Sequence, residues 1–398
     1  MHTTDIATIS VSSTEVLERT RALVPRLRER ITETEELRRL PADTVDDAEA
    51  AGIFSLLLPT SLGGSAGTVH DFAEVVRTLA QGDPTAAWTL GFLVEHNWML
   101  ARWPRETQEE VFAAGGPVLM AAVANPPGKA TAVEGGYLVS GYWGYCSGVM
   151  HAAWVQVVAT VEGRDRPSLF LLPREDVDVQ DTWYMSGMKG SGSHDIRLDR
   201  QFVPAHRAVD IDQWHSRHNH GAALHPEPLY AYDARDLLVF IIPALVVGAA
   251  EAMLEMYRAR VERRRAAFSP VLAADTVAGQ IRYAEAMSAL RGAQSLLTAA
   301  LDLTVEVNAQ SPDELSDRVR ALIKLDCLTI CRLAKESIDF GVGGSGSAIY
   351  KSSDITQHFL RDIQMILSHL TIDDDGMRAQ AGAILLGRAE PDPARNFT

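Results

Sequence analysis

Apolar positions recur every three to four residues over 13–40, 43–57 and 69–80, with charged positions between them, which is the spacing of amphipathic helices. Asp83 and Pro84 then supply an N-cap with proline at the first helical position, opening a further helix through Leu100. The stretch 58–64, LPTSLGG, reads as a loop. From about residue 117 the period falls to two, and 119–123, 137–145, 154–161, 168–172, 177–183 and 196–203 read as strands separated by glycine and proline clusters. Helical spacing returns over 231–267, 274–308, 312–340 and 355–386, with 341–346, GVGGSG, as the main interruption. The pattern predicts a mainly helical α+β chain. Its blocks are an N-terminal helical domain (1–116), a middle β-domain (117–225) and a C-terminal four-helix bundle (226–398).

The run 135–154, GGYLVSGYWGYCSGVMHAAW, carries the most information. It reads as a strand that turns at Ser140 and Gly141, resumes, and stops at Ser147 and Gly148. A small hydroxyl and a glycine at a strand end, beside aromatic rings, let a flat ligand approach the backbone closely.

Composition narrows the partners. The 398 residues carry a formal charge of −15, which argues against nucleic acid, and no basic run suggests an anionic membrane. The apolar run 237–250 is short for a span, contains Pro243 and reads as a buried helix. Three cysteines without zinc-type spacing, and no visible signal peptide, point to a reducing cytoplasm.

Several side chains are candidates for chemistry. His358, Asp362, Met365 and His369 fall on one helical stripe, but Asp362 and His369 stand about 10 Å apart along the axis, too far for one ion. That leaves His369 as a polar group at a cleft or a surface histidine, and Asp362 as half of an ion pair. His96 lies in an apolar helix, as a core histidine or a hydrogen-bonding base. His215, His218, His220 and His225 have irregular spacing and read as a lid or solvated loop. The glycine-rich 187–193 and 341–346 match neither the dinucleotide nor the P-loop pattern and serve as turns or phosphate contacts.

Taken in order, LPTSLGG (58–64), GDPTAAW (82–88), His96-Asn97-Trp98, GYWGYCSGVMHAAW (141–154), GMKGSGSHDI (187–196), FVPAHR (202–207) and Arg361-Asp362 with His369 resemble the acyl-CoA dehydrogenase fold. Within it, the chain is similar to the oxygenase components of two-component flavin monooxygenases, such as the 4-hydroxyphenylacetate and hydroxylated-secosteroid hydroxylases. The commonest dehydrogenases carry a glutamate base shortly after the Arg-Asp pair; here Ser368, His369 and Leu370 stand there instead.

The resemblance implies an acyl-CoA dehydrogenase-like fold and a soluble homotetramer. It implies reduced FMN or FAD delivered by a separate flavin reductase, dioxygen as co-substrate, and hydroxylation of an aromatic or polyketide-like molecule through a flavin hydroperoxide. It assigns the peroxide contact to His369, the phenol contact to His96, and the flavin's central ring to Ser147. Tyr145, Ser191, Arg265, Phe268, Gly343 and Gly344 become cofactor contacts, and Trp143 joins His96 at the substrate. No metal is implied. The alternatives are an acyl-CoA dehydrogenase, a nitrogen- or sulfur-oxidising relative, and a non-catalytic flavin-binding protein.

Overall fold

A computed structural model describes residues 11–267, 269–309 and 317–388. Six helices come first: α1 (Ser13–Glu29), α2 (Ile31–Leu37), α3 (Ala42–Ala50), α4 (Val69–Gly82), α5 (Pro84–Leu100) and α6 (Arg105–Val111). The helix expected over 13–40 is split at Arg30 and ends at Arg38, whose φ is 52°. The one expected over 43–57 stops at Ala50, because Gly52 turns left-handed at φ 79° and leads into a 3-10 turn. The starts of α4 and α5 fall where their caps place them. Thr68 and Asp71 form a capping box, and the Asp83 carboxylate accepts the Thr85 N–H at 2.9 Å.

The strands β1 (Met120–Val133), β2 (Gly136–Trp143), β3 (Trp154–Val161), β4 (Pro167–Pro173), β5 (Asp178–Gln180), β6 (Asp195–Pro204) and β7 (Ala208–Asp210) form one sheet in the order β5-β6-β2-β1-β3-β4-β7. β1 and β3 run parallel and the other pairs antiparallel. The expected turn at Ser140 and Gly141 is a bulge inside β2: the register against β6 shifts between Val139 and Gly141, and Ser140 Oγ accepts the Arg200 N–H at 2.8 Å. β1 outruns the expected 119–123. Its pairing with β3 lapses between Val123 and Gly128, across two prolines that have no N–H to give, and then resumes. Alternation sorts the sheet's side chains. Val155, Val157 and Phe170 fill a core on one face, while Val158, Leu169 and Leu171 join the helical core on the other.

The chain then runs through α7 (Ile211–His215), α8 (His220–Leu224), α9 (Arg235–Leu238), α10 (Ile241–Val261), α11 (Val277–Ala309), α12 (Asp317–Ser345), α13 (Ile355–Ile366) and α14 (Asp374–Leu385). The helix expected from 231 begins properly at α10. The expected start at Pro312 lies outside the described residues. The interruption expected over 341–346 is helical through Ser345: Gly344 leaves room for Tyr257, whose hydroxyl would lie 2.3 Å from an added Cβ. The helix expected over 355–386 is broken after Ile366. His369 instead caps a 3-10 turn, Leu370–Ile372, so it leaves the stripe of His358 and Asp362. The stretch Arg235–Val261 is long and apolar enough to cross a membrane, but 83% of its most apolar window is buried in this fold. There α10 packs against α4, α5, α11, α12 and α13 as the central helix.

Candidate functional site

Every residue of α5 is buried except Phe92. Phe92 belongs to a ladder of rings. Trp88 and Phe92 have centroids 4.7 Å apart, Phe92 and His96 5.4 Å, and Trp88 meets His369 edge-on at 5.2 Å. Residues 88, 92 and 96 are successive i, i+4 neighbours, so one helix face carries the ladder. The α13 end of the fold brings His369 to its foot. The two histidines singled out by the sequence therefore line one wall, linked through Trp88.

The two rings are held in opposite tautomers, as their partners dictate. His96 Nδ1 lies 2.7 Å from the Met120 carbonyl, which has only lone pairs, so Nδ1 carries the proton and Nε2 is an acceptor. His369 Nδ1 accepts the Thr371 N–H at 3.3 Å and lies 2.8 Å from the Thr371 hydroxyl, so Nε2 carries the proton and is a donor. Burial pulls both pKa values down to about 4, so both rings are neutral at neutral pH.

Trp88 also joins the ladder to a chain of hydroxyls. Its Nε1–H donates to Ser147 Oγ at 3.0 Å; Ser147 meets Ser193 Oγ at 2.8 Å, Ser193 meets Ser191 Oγ at 2.7 Å, and Ser191 donates to the Met188 carbonyl at 2.9 Å. The chain backbone is drawn in as well, since the Gly148 N–H donates to the Ser191 carbonyl at 3.1 Å. Tyr145, 65% exposed and at φ 65°, stands beside Ser147 with its ring edge-on to Trp183 at 5.6 Å.

A buried ionic cluster fixes the loop that supplies these serines. His358 contacts Glu35 at 2.9 Å, Asp83 at 2.8 Å and Asp362 at 3.1 Å. Glu35 also takes Arg361 at 2.7 Å and Lys189 at 3.3 Å. Asp362 accepts the Thr85 hydroxyl at 2.5 Å and the Met188 N–H at 2.6 Å. Gly187 lets the loop lie directly on α13, because a Cβ there would meet the Arg361 carbonyl at 2.3 Å. Burial opposes charge on His358, but Asp362, Asp83 and Glu35 outweigh it and raise its pKa to about 11. Asp83, His358 and Asp362 lie close enough together to suggest a metal. An imidazolium with both N–H groups given to carboxylates has no lone pair for one.

Other expected residues fall elsewhere. Trp143 is not a substrate wall: it is fully buried in the sheet core and its indole N–H donates to the Val158 carbonyl at 3.0 Å. Arg265 is exposed and bonds the Pro270 carbonyl, while its neighbour Arg264 donates to the Gly344 carbonyl at 3.0 Å and the Ser345 carbonyl at 3.2 Å. None of these hydrogen bonds reaches the serine chain. Gly343 is exposed on α12, and Phe268 lies outside the described residues. The histidine-bearing segment is anchored rather than solvated. Fully buried Arg102 donates to the carbonyls of Trp214, His215, Ser216, Tyr230 and Tyr232, and His225 bridges Ser61 and Gln108.

Sequence reasoning missed Trp88, Ser193, Glu35 and Arg102, which hold or extend this cluster. Trp88 and Ser193 sit inside motifs already quoted, one turn from Phe92 and two residues from Ser191. Arg102 was visible as one arginine within the apolar run 98–103.

The group of side chains fits a flat heteroaromatic ring: the serine hydroxyls keep acceptor lone pairs, the His369 Nε2–H is a free donor among the described residues, and aromatic edges flank them. Residues 240–374 match the model of the acyl-CoA dehydrogenase C-terminal domain. A pigment production hydroxylase of Rhodococcus sp. (strain ATCC 21145) is 32% identical over 97% of this chain and 100% of its own length. The flavin-dependent monooxygenase oxygenase subunit HsaA of Mycobacterium tuberculosis (strain CDC 1551 / Oshkosh) is 31% identical over 89% of this chain and 90% of its own. The crystal structure of 3-HSA hydroxylase from Rhodococcus sp. RHA1 superposes with a TM-score of 0.89 at 30% identity, over 95% of this chain and 98% of that one.

Proposed function

The chain belongs to the oxygenase components of the flavin-dependent monooxygenases, on the acyl-CoA dehydrogenase fold, and from that premise we propose that it hydroxylates a phenolic substrate held by His96, with His369 serving the oxygen. The observation that carries this reading is the ring ladder with its two opposite tautomers. Reduced FMN or FAD, brought by a partner flavin reductase, supplies the electrons that activate dioxygen for transfer of one oxygen atom.

The chain's own residues do the rest. Ser147, Ser191 and Ser193, with the backbone of residues 145–148, hold the flavin ring edge, and Trp88 holds Ser147 in place. His369 offers Nε2–H to the oxygen that receives negative charge, and Thr371 keeps that proton on Nε2. His96 accepts the phenol O–H at Nε2, which moves electron density into the ring to be attacked. With its pKa near 4, His96 polarises the phenol rather than becoming a lasting cation. The apolar wall of α5 keeps water from the reacting atoms. Arg265 and Gly343, both exposed, belong to a cofactor contact made by a second copy, in a homotetramer, whereas Gly344 is packed under Tyr257. Val277 and Ile281, 72% and 55% exposed one turn apart on α11, suit such an assembly.

The test supplies chemically reduced FMN or FAD, air and a panel of phenols, and follows oxygen uptake and hydroxylated product. The expected result is phenol-dependent product formation. His369→Ala is expected to divert oxygen to free hydrogen peroxide while phenol binding stays near wild type. Full coupling in that variant overturns the role of His369, and no product from any phenol overturns the substrate class.

A further inference from the structure

The stripe on α5 runs through Trp88, Phe92, Glu95 and Met99 at steps of four, three and four, the spacing of a single helix face, with His96 at its edge. Phe92 is the one residue of this helix that is not buried, so α5 is most exposed along this stripe. Glu95 stands one turn beyond it. Its side chain is 98% buried, being 2% exposed, and Oε2 has no hydrogen-bond partner among the described residues. The indole N–H of Trp98, three residues on, is also buried without a partner. A carboxyl so placed costs stability in the unliganded protein unless something completes its hydrogen bonds.

We propose that Glu95 is a specificity-determining residue whose carboxyl hydrogen-bonds a second uncharged polar group, a hydroxyl or a carbonyl, on a phenol whose own hydroxyl is held by His96. Adjacent residues on a helix diverge by about 100°, so Glu95 and His96 address two separate points of one ligand. Desolvation raises the Glu95 pKa well above the carboxylate range, so the group is a neutral acid that both donates and accepts. Such a group can pair with a hydroxyl or a carbonyl through its O–H and its remaining lone pairs. The inference rests on the phenol reading above.

The test is calorimetric binding, with and without FMN, of 2-naphthol, the dihydroxynaphthalene isomers and their monomethyl ethers to wild type, Glu95→Met and Glu95→Gln. In wild type, one dihydroxynaphthalene is expected to bind about 10-fold tighter than 2-naphthol, the equivalent of one well-made buried hydrogen bond. E95M should bind the two alike, and E95Q, which keeps a donor and an acceptor, should restore most of the preference. Retention of the preference in E95M overturns the assignment and leaves Glu95 to an ordered water. If E95M does not fold, the wild-type series still decides, because no isomer preferred over 2-naphthol or over its own methyl ether overturns it. Binding of no naphthol or phenol at all overturns the phenol reading and this inference together, whereas naphthol binding without a second-hydroxyl preference overturns this inference alone.

Discussion

His96 and His369 are the same side chain set to different tasks by what holds the first nitrogen of each. A backbone carbonyl takes the proton side of His96, and a backbone N–H takes the lone-pair side of His369. Both are neutral until the pH approaches about 4. The acid limb of kcat/KM is therefore expected near pH 4, well below the ordinary histidine value. Protonation there removes the acceptor on His96. A limb near 6.5 in the pH–rate profile would show that these rings are not the groups at work. Ser147 supports a second expectation. It is bonded to both Trp88 and Ser193, so Ser147→Ala leaves an indole N–H and a hydroxyl short of a partner. Flavin titration by fluorescence is expected to show about 5- to 10-fold weaker binding, the scale of one lost hydrogen bond. Unchanged affinity would remove Ser147 from the flavin contacts.

Among the elements, α5 organises the site and Arg102, just past its C-terminus, organises the cover. Five carbonyls from 214–232 converge on one guanidinium, with its face over Trp98 at 4.5 Å. Arg102→Leu takes the only side-chain or backbone donor, among the described residues, from the Trp214 and Tyr232 carbonyls, while Asn219 and the Ala234 N–H still serve those of His215, Ser216 and Tyr230. The expected outcome is a loss of about 3 kcal/mol or more. Limited proteolysis should show the loss as faster cleavage within 211–232 than elsewhere. Uniform protection would mean that the segment holds itself. The sequence marked this segment as a lid but not its anchoring, because periodicity is silent on which distant carbonyls share one buried cation. α13 teaches the same lesson. A helix over 355–386 satisfies the apolar spacing, yet the chain breaks after Ile366, and only that break carries His369 to Trp88.

Across the whole molecule, the ionic cluster ties α2, α5, α13 and the loop after β5 into one body. His358 is raised to about 11, so its share of stability is full below about 6.5 and is lost as pH rises toward 11. A hydrogen bond from His358 holds Glu35 down at about 2, so that share is full above about 4.5 and lost as pH falls toward 2. The buried neutral His96 and His369 add to the acid loss, between about 6.5 and 4. The melting temperature is expected to decline from pH 6.5 toward 11, and His358→Gln should flatten that decline while lowering the neutral-pH value. An unchanged alkaline slope in the variant would place the sensitivity elsewhere.

The sequence by itself determined the order of helical and strand-forming segments, the start of α5 and the motif order that identifies the family. These rest on local periodicity and capping, which neighbours along the chain decide. It also singled out His96, His369, Ser147 and Ser191, which the fold brings to one wall and one hydroxyl chain joined at Trp88. Only the tertiary structure decided that Trp143 is core and that Trp88 joins the histidines to the serines. Nor did the sequence reveal that His358 is a buried cation, or that the His96 and His369 rings carry their protons on opposite sides. Each of those depends on a partner distant in sequence, such as Val158, Ser147, Glu35 or Met120, and burial then sets the protonation that the contact requires.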